Sequence, residues 1–169
     1  MMKLCAWEQT KGRGRQGRVW QSPQGNLAAS LLLIDPASMA QAPQLGFVAG
    51  VALAETAAEL LPAHVKAQLK WPNDLVIAGA KLSGLLLEAT QLPDGHLACV
   101  MGVGLNVVSA PQDLPYAATS LQEQGAQVGA ELVLERLSAH MSLWLSRWQR
   151  GDDFAAVRAA WMSYAAGLE

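Results

Sequence analysis

An α+β fold, with a mixed, largely antiparallel sheet and flanking helices, is predicted by three features of this 169-residue chain. Short apolar runs separated by turn residues dominate the first two thirds. A single helical-period segment interrupts them, and two more helical segments close the sequence. The length suits one domain, 1–169, with a sizeable core; half the residues (51 %) are hydrophobic and 15 % are charged.

The elements follow in order. "MKLCAWEQ" (2–9) reads as a strand entering a Gly/Arg-rich loop. "NLAASLLLI" (26–34) reads as a buried strand after the turn-like "SPQG". Over 44–61, Leu45, Val48, Ala49, Ala52, Leu53, Thr56 and Leu60 recur at helical steps, an amphipathic helix stopped near Pro62. "VKAQLKW" (65–71) is a strand ending at Pro72, and 74–89 is a hairpin turning at Ala78–Ala80. "GHLACVMGVGLNVV" (95–108) is a strand expected to break at its glycines. Residues 117–125 suggest a short helix capped by Thr119 or Ser120, with Glu123 in capping-box range. A longer helix spans 130–149, with Val133, Leu137, Met141, Trp144 and Trp148 on one stripe, and 152–164 is helical.

Composition excludes several classes. Net charge is −2, so the chain is not a polycation. No run is long enough for a membrane helix, and the N-terminus lacks a signal-peptide pattern, so a cytoplasmic protein is the default. Cys5, Cys99, His64, His96 and His140 lack metal-ligand or redox spacing and read as structural or surface residues.

Positive charge is nevertheless local. "KGRGRQGRVW" (11–20) carries Lys11, Arg13, Arg15 and Arg18, four of the twelve Lys and Arg. Gly12, Gly14 and Gly17 fit G-x-G-x-x-G, but loop residues follow where a dinucleotide site needs a helix. An RNA-binding segment would require basic surface elsewhere. An anion cradle fits better: glycines let backbone N–H groups approach oxygen, and arginines supply forked donors. Four close cations repel until an anion arrives, so ordering by ligand is expected. In "KWPNDLVIAGAKLSGLLLE" (70–88), Asn73 and Asp74 sit at a strand end, and Lys81 should face Asp74 across the hairpin. Asp74 is the candidate Mg²⁺ ligand, with a surface ion pair as the plainer alternative. Gly102 and Gly104 in "MGVGLNVV" suggest that something flat approaches the backbone, and Asn106 offers an amide; a bulge is the alternative.

Taken together, "GRGRQGRVW", "KWPND", "KLSGLLLE" and "GVGLN" resemble the catalytic domain of biotin–protein ligases. The resemblance runs from about residue 4 to residue 163 with the motifs in order. It implies the biotin/lipoate ligase, class II synthetase-like fold, and a reaction that activates biotin with ATP and Mg²⁺ as biotinyl-5′-AMP. A lysine of a biotin carrier protein, a carboxylase carrier domain, then receives the biotinyl group. By the same resemblance, Gln9, Gly12, Arg13, Gly14, Arg15, Lys81, Gly84, Gly102 and Gly104 are biotin-binding positions. Arg15, Arg18, Trp20, Asn73, Lys81 and Asn106 fall on the ATP side, with Lys81 and Arg15 catalytic and Asp74 toward the metal.

The departures carry expectations too. Relatives have a Ser/Thr-Asn/Asp stretch before the arginine loop, which holds biotin's ring. Only eleven residues precede Gly12 here, so an N-terminally incomplete domain with one pocket wall missing is expected. The family's C-terminal β-barrel and DNA-binding helix-turn-helix have no counterpart, so no DNA partner is expected; a homodimer is left open. Gln16 stands where Arg is common, and "AATSLQ" has alanines where some relatives cover adenine with an aromatic. The alternatives are an inactive or weak relative that binds nucleotide or carrier without turnover, a lipoate–protein ligase, and an RNA-binding module.

Overall fold

A computed structural model describes residues 2–6 and 8–167, and the side chains of all of these but Met2 and Lys3. Its strands are β1 (Met2–Ala6), β2 (Leu27–Ile34), β3 (Ala67–Lys70), β4 (Asp74–Ile77), β5 (Ala80–Gln91) and β6 (Leu97–Leu105). Its helices are α1 (Leu45–Leu60), α2 (Ala130–Trp148) and α3 (Phe154–Tyr164). The strands form one sheet in the order β1-β2-β6-β5-β4-β3, and every neighbouring pair is antiparallel. The mixed character expected from sequence shrinks to two parallel bridges, Leu69 with Ala165 and Lys81 with Ala118. The first strand ends at Ala6; Trp7, part of the expected 2–9 strand, and the final Leu168–Glu169 lie outside the described residues.

Side-chain alternation decides which face holds the core. Leu27, Leu31 and Leu33 of β2, Met101, Val103 and Leu105 of β6, and Leu75 and Ile77 of β4 join the buried cluster with the helices. The opposite face of the sheet carries Ala28 and Ser30 of β2, Gly102 and Gly104 of β6 and Gly84 of β5, and a cleft opens on it.

The first helix differs from the amphipathic stripe expected. Val48, Ala49, Gly50, Val51, Ala52, Leu53 and Ala54 are buried in unbroken succession. The helix lies between the sheet and the other two helices, so nearly its whole circumference faces protein, as an all-round apolar sequence requires. Gly50 is a close-approach position, because a Cβ there would stand 3.2 Å from Trp161 Nε1. The helix ends as expected: Leu61, before Pro62, is extended (ψ 154°).

On α2, the predicted stripe of Val133, Leu137, Met141, Trp144 and Trp148 is the buried stripe observed. Both buried indoles have partners, Trp144 Nε1 donating to Glu55 Oε2 (2.8 Å) and Trp148 Nε1 to Gln44 Oε1 (2.7 Å). Those bonds keep the N–H groups satisfied while the rings fill the core. Cys99 is fully buried and burial pushes its thiol pKa up, which suits a core residue and not a nucleophile.

Two local expectations are corrected. The sixth strand continues through both glycines to Leu105, because its neighbours on either side supply an unbroken ladder. Residues 121–125 form turns, not a helix. The capping box itself is present: Ser120 N donates to Glu123 Oε2 (3.0 Å) and Glu123 N donates to Ser120 Oγ (3.2 Å). Gly125, at φ 95°, then ends the turn before a helix can propagate.

Candidate functional site

The site is built around a register slip. In "KLSG", Lys81 and Gly84 are three apart, so a regular strand would send them to opposite faces. The hairpin instead pairs Val76 with Lys81 but Leu75 with Ser83, leaving Leu82 as the extra residue of a β-bulge. Lys81, Gly84 and Leu86 therefore share the open face. Ala78 (φ 49°) and Gly79 (φ 82°) make the tight left-handed turn just before Lys81.

Three backbone groups at the bulge bond outside the hairpin. Lys81 N donates to Ala117 O (2.8 Å), Thr119 N to Lys81 O (2.9 Å) and Asn106 N to Leu82 O (3.0 Å). The Lys81 side chain is restrained too. Its ammonium lies 2.8 Å from Asp74 Oδ1, an ion-pair contact without hydrogen-bond alignment. It also stands over the rings of Trp20 (5.5 Å to the centroid) and Tyr116 (5.7 Å), within cation–π range.

Beside Lys81 runs a row of small residues. Asp74 pairs with Gly84, Gly84 with Gly104, and Gly104 with Ala28, across four strands. Cross-strand partners point to one face, so this row is a trough floored by backbone. The flat group lying in it is the chain's own Trp20. A Cβ on Gly104 would overlap the Trp20 indole, and one on Gly84 would touch that ring at 3.4 Å. Of the two glycines whose spacing suggested a flat neighbour, Gly104 has one, and it is protein; Gly102 has only ordinary contact with Leu86.

Trp20 comes from the Gly/Arg loop, which closes on itself. Gln9 bridges Ser22 and Arg13 bridges Val19. Trp20 N donates to Gly12 O (2.9 Å) and Gly14 N to Arg18 O (2.7 Å). Gly12 is buried at this neck, where a Cβ would strike the Trp20 carbonyl, so its place is structural. Arg13, Arg15 and Arg18 are exposed around the loop. Arg15 reaches Asn73 with a long contact of 3.5 Å.

The asparagines divide by role. Asn73 ties two strands, accepting from Leu85 N (2.8 Å) and donating to Leu85 O (2.7 Å). Asn106 is buried, with its amide on Thr119 O (3.0 Å) and its Oδ1 without a hydrogen-bond partner among the described residues. Asn26, which sequence reasoning passed over, is the hub of the chain turn that follows β6. Its Oδ1 accepts from Val107 N, Val108 N and Ser109 N, and its Nδ2 donates to Ser109 O. A polar residue beside an apolar strand was the only signal. Tyr116 was also missed, because it reaches Lys81 through the pairing of residues 117–119 with the bulge.

Together these elements line a cleft of about 600 Å³. Gln9, Arg13, Gly14, Arg15, Arg18, Trp20, Asn73, Asp74, Lys81, Gly84, Gly102 and Gly104 all border it; Gly12 and Asn106 do not. Asn106 borders a smaller adjoining pocket with Trp20, Lys81 and Tyr116. Lys11, Arg13, Arg15, Arg18, Lys70 and Lys81 face only Asp74 and Glu88, an excess of four positive charges in a chain of net charge −2. That excess selects anions. The donor set does not fit a resident Mg²⁺ ion. Asp74 already carries an ammonium, and no cluster of three or more His, Cys, Asp or Glu side chains forms among the described residues. Nor is any described helix long and apolar enough to cross a membrane.

Comparison with known proteins gives this geometry a context. Residues 4–106 match the biotin/lipoate A/B protein ligase family. The chain is 36 % identical over 171 aligned positions to a biotin–[acetyl-CoA-carboxylase] ligase of Paracoccus denitrificans, covering 98 % of this chain and 71 % of that one. It is 32 % identical to the bifunctional ligase/repressor BirA of Bacillus subtilis, covering 98 % of this chain and about half (52 %) of that one. A solved biotin protein ligase of Aquifex aeolicus, in complex with biotin and ATP, superposes with a TM-score of 0.81 at 32 % identity, over 96 % of this chain and 68 % of that one.

Proposed function

The chain belongs to the biotin/lipoate A/B protein ligase family, and on that premise we propose that it activates biotin with ATP and transfers it to a carrier protein. In the first step a biotin carboxylate oxygen attacks the α-phosphorus of ATP. The bond from that phosphorus to pyrophosphate breaks, giving biotinyl-5′-AMP. In the second step a lysine amine of a biotin carrier protein attacks the anhydride carbonyl. AMP leaves with the electron pair of the broken C–O bond, and the amine gives up a proton.

Neither step needs a nucleophile from the enzyme. The difficulty is bringing a carboxylate and a polyphosphate together, so catalysis is charge neutralisation and orientation. The observation that carries the reading is Lys81, fixed between Asp74 and two aromatic rings beside a glycine-floored trough. Gln9, Gly84, Gly102 and Gly104 are proposed to border the ureido ring and acyl tail of biotin. Arg13 and Arg15 are proposed to meet the carboxylate and α-phosphate, and Arg18 and Asn73 the outer phosphates. Trp20 divides the main cleft from the Asn106 pocket, and so would stand between biotin and nucleotide. Mg²⁺ is proposed to arrive with ATP as part of the substrate. The Gly/Arg loop is proposed to tighten over the anions and keep water from the anhydride.

The test is biotin-dependent release of pyrophosphate from ATP, read beside calorimetry with biotin. Saturable biotin heat and pyrophosphate release are expected. Biotin heat without pyrophosphate would favour a binding relative without turnover, and competition by lipoate instead of biotin would reassign the substrate.

A further inference from the structure

We infer that Tyr116 is a positioning residue for Lys81, restraining its ammonium together with Asp74. The inference rests on the proposed role of Lys81 at the reacting carboxylate. A lysine on four methylenes samples many rotamers, and only a few would place the ammonium at a reaction centre. Here three groups limit it: Asp74 Oδ1 at 2.8 Å, the Trp20 ring at 5.5 Å and the Tyr116 ring at 5.7 Å. The Lys81 side chain is consequently only 20 % exposed, although it stands at an open cleft.

Two of these restraints have other work. Asp74 sits at the strand end beside the proposed metal-bearing phosphates, and Trp20 rides on a loop proposed to move. Tyr116 is different in kind. The residues after it pair with the lysine's own backbone, through Lys81 N to Ala117 O and Thr119 N to Lys81 O. Thr119 is pinned in turn, its carbonyl by Asn106 Nδ2 (3.0 Å) and its hydroxyl by Gln124 Nε2 (2.8 Å). The segment that carries the ring is thus bonded to the backbone of the side chain it faces. The contact with Lys81 is made by the ring face, so the face is taken as the working part.

The substitutions Tyr116→Phe and Tyr116→Leu separate the face from simple bulk. Two readouts are needed: steady-state pyrophosphate release with biotin and ATP, and the rate at which acetic anhydride acetylates Lys81, followed by mass spectrometry. Tyr116→Phe is expected to stay within about twofold of wild type in both. Tyr116→Leu is expected to lower kcat about two- to thirty-fold, the range of one cation–π contact, with smaller changes in KM. Its Lys81 should be acetylated severalfold faster. Equal behaviour of the Phe and Leu variants would overturn the inference. So would a Leu variant in which only the KM for ATP rises and Lys81 labelling is unchanged, since the ring would then be a nucleotide wall. The labelling comparison needs no turnover, so it decides the role of Tyr116 even if the chain releases no pyrophosphate and the ligase reading fails.

Discussion

Replacing Lys81 with alanine should separate catalysis from stability more cleanly than any other change in the cleft. The stability cost follows from the ion pair. Its partners are 20 % and 27 % exposed, so water screens the pair and its loss costs about 1 kcal/mol or less. For a chain of this size that shifts Tm by about 2–4 °C. The catalytic cost is larger, because the ammonium is proposed to meet charge that develops only as the carboxylate and α-phosphate react. Loss of one such preorganised donor typically costs about 10²–10³-fold in rate, or about 2.7–4 kcal/mol. Single-turnover formation of biotinyl-5′-AMP, measured beside thermal unfolding, should therefore show a fall of at least about a hundredfold in a protein that still melts near the wild-type temperature. A folded Lys81→Ala variant within tenfold of wild type would refute the assignment of this lysine, however well the fold survived.

Other perturbations test the frame and the trough. Asn26→Ala removes an acceptor shared by three backbone N–H groups and a donor to Ser109 O, in a residue that is 4 % exposed; a loss of about 2–4 kcal/mol is expected by urea unfolding. Gly104→Val places branched carbons where the Trp20 indole now lies, so calorimetric biotin affinity should fall at least about tenfold while circular dichroism is retained. The Asp35 pKa is lowered, first by the bond it accepts from Leu97 N and next by the side chain of His96. A lowered carboxyl pKa stabilises the fold above the unfolded value, about 3.9, and that stability is lost as pH falls through the folded value. Acid unfolding of Asp35→Asn should lack this part of the pH slope, and an unchanged slope would exclude the contribution.

Much of this architecture was legible because local patterns agreed with one another. The α2 stripe was readable from helical spacing alone, and the 74–89 hairpin from its Ala-Gly turn and flanking apolar runs. The approach of Lys81 to Asp74 followed from that hairpin. What escaped was set by contacts distant in sequence. The burial of α1 on almost every side depends on α2 and α3, which lie far along the chain. The turn at 121–125 carries a real capping box, yet no helix follows, because Gly125 turns left-handed (φ 95°) while the preceding segment is held to the distant Lys81 backbone. Gly104 announced a close neighbour but could not identify it as Trp20, and Gly102 has only ordinary contact with Leu86. Tyr116 carried no signal, since an aromatic in a Pro-rich loop looks the same whether it faces solvent or a lysine.

The bulge at Leu82 acts on this motif much as a reading frame acts on a coding sequence. One residue more or fewer between Lys81 and Gly84 would rotate every later position of β5 by half a period. The lysine and the glycine floor would then lie on opposite sides of the sheet, with all four motifs still recognisable in the text. Substitutions within "KLSG" are therefore graded injuries, whereas a single-residue insertion or deletion there is all-or-none. The same arithmetic offers a filter for distant sequences that resemble this one: the count of residues in that interval says more about a shared active face than the identity of the residues filling it.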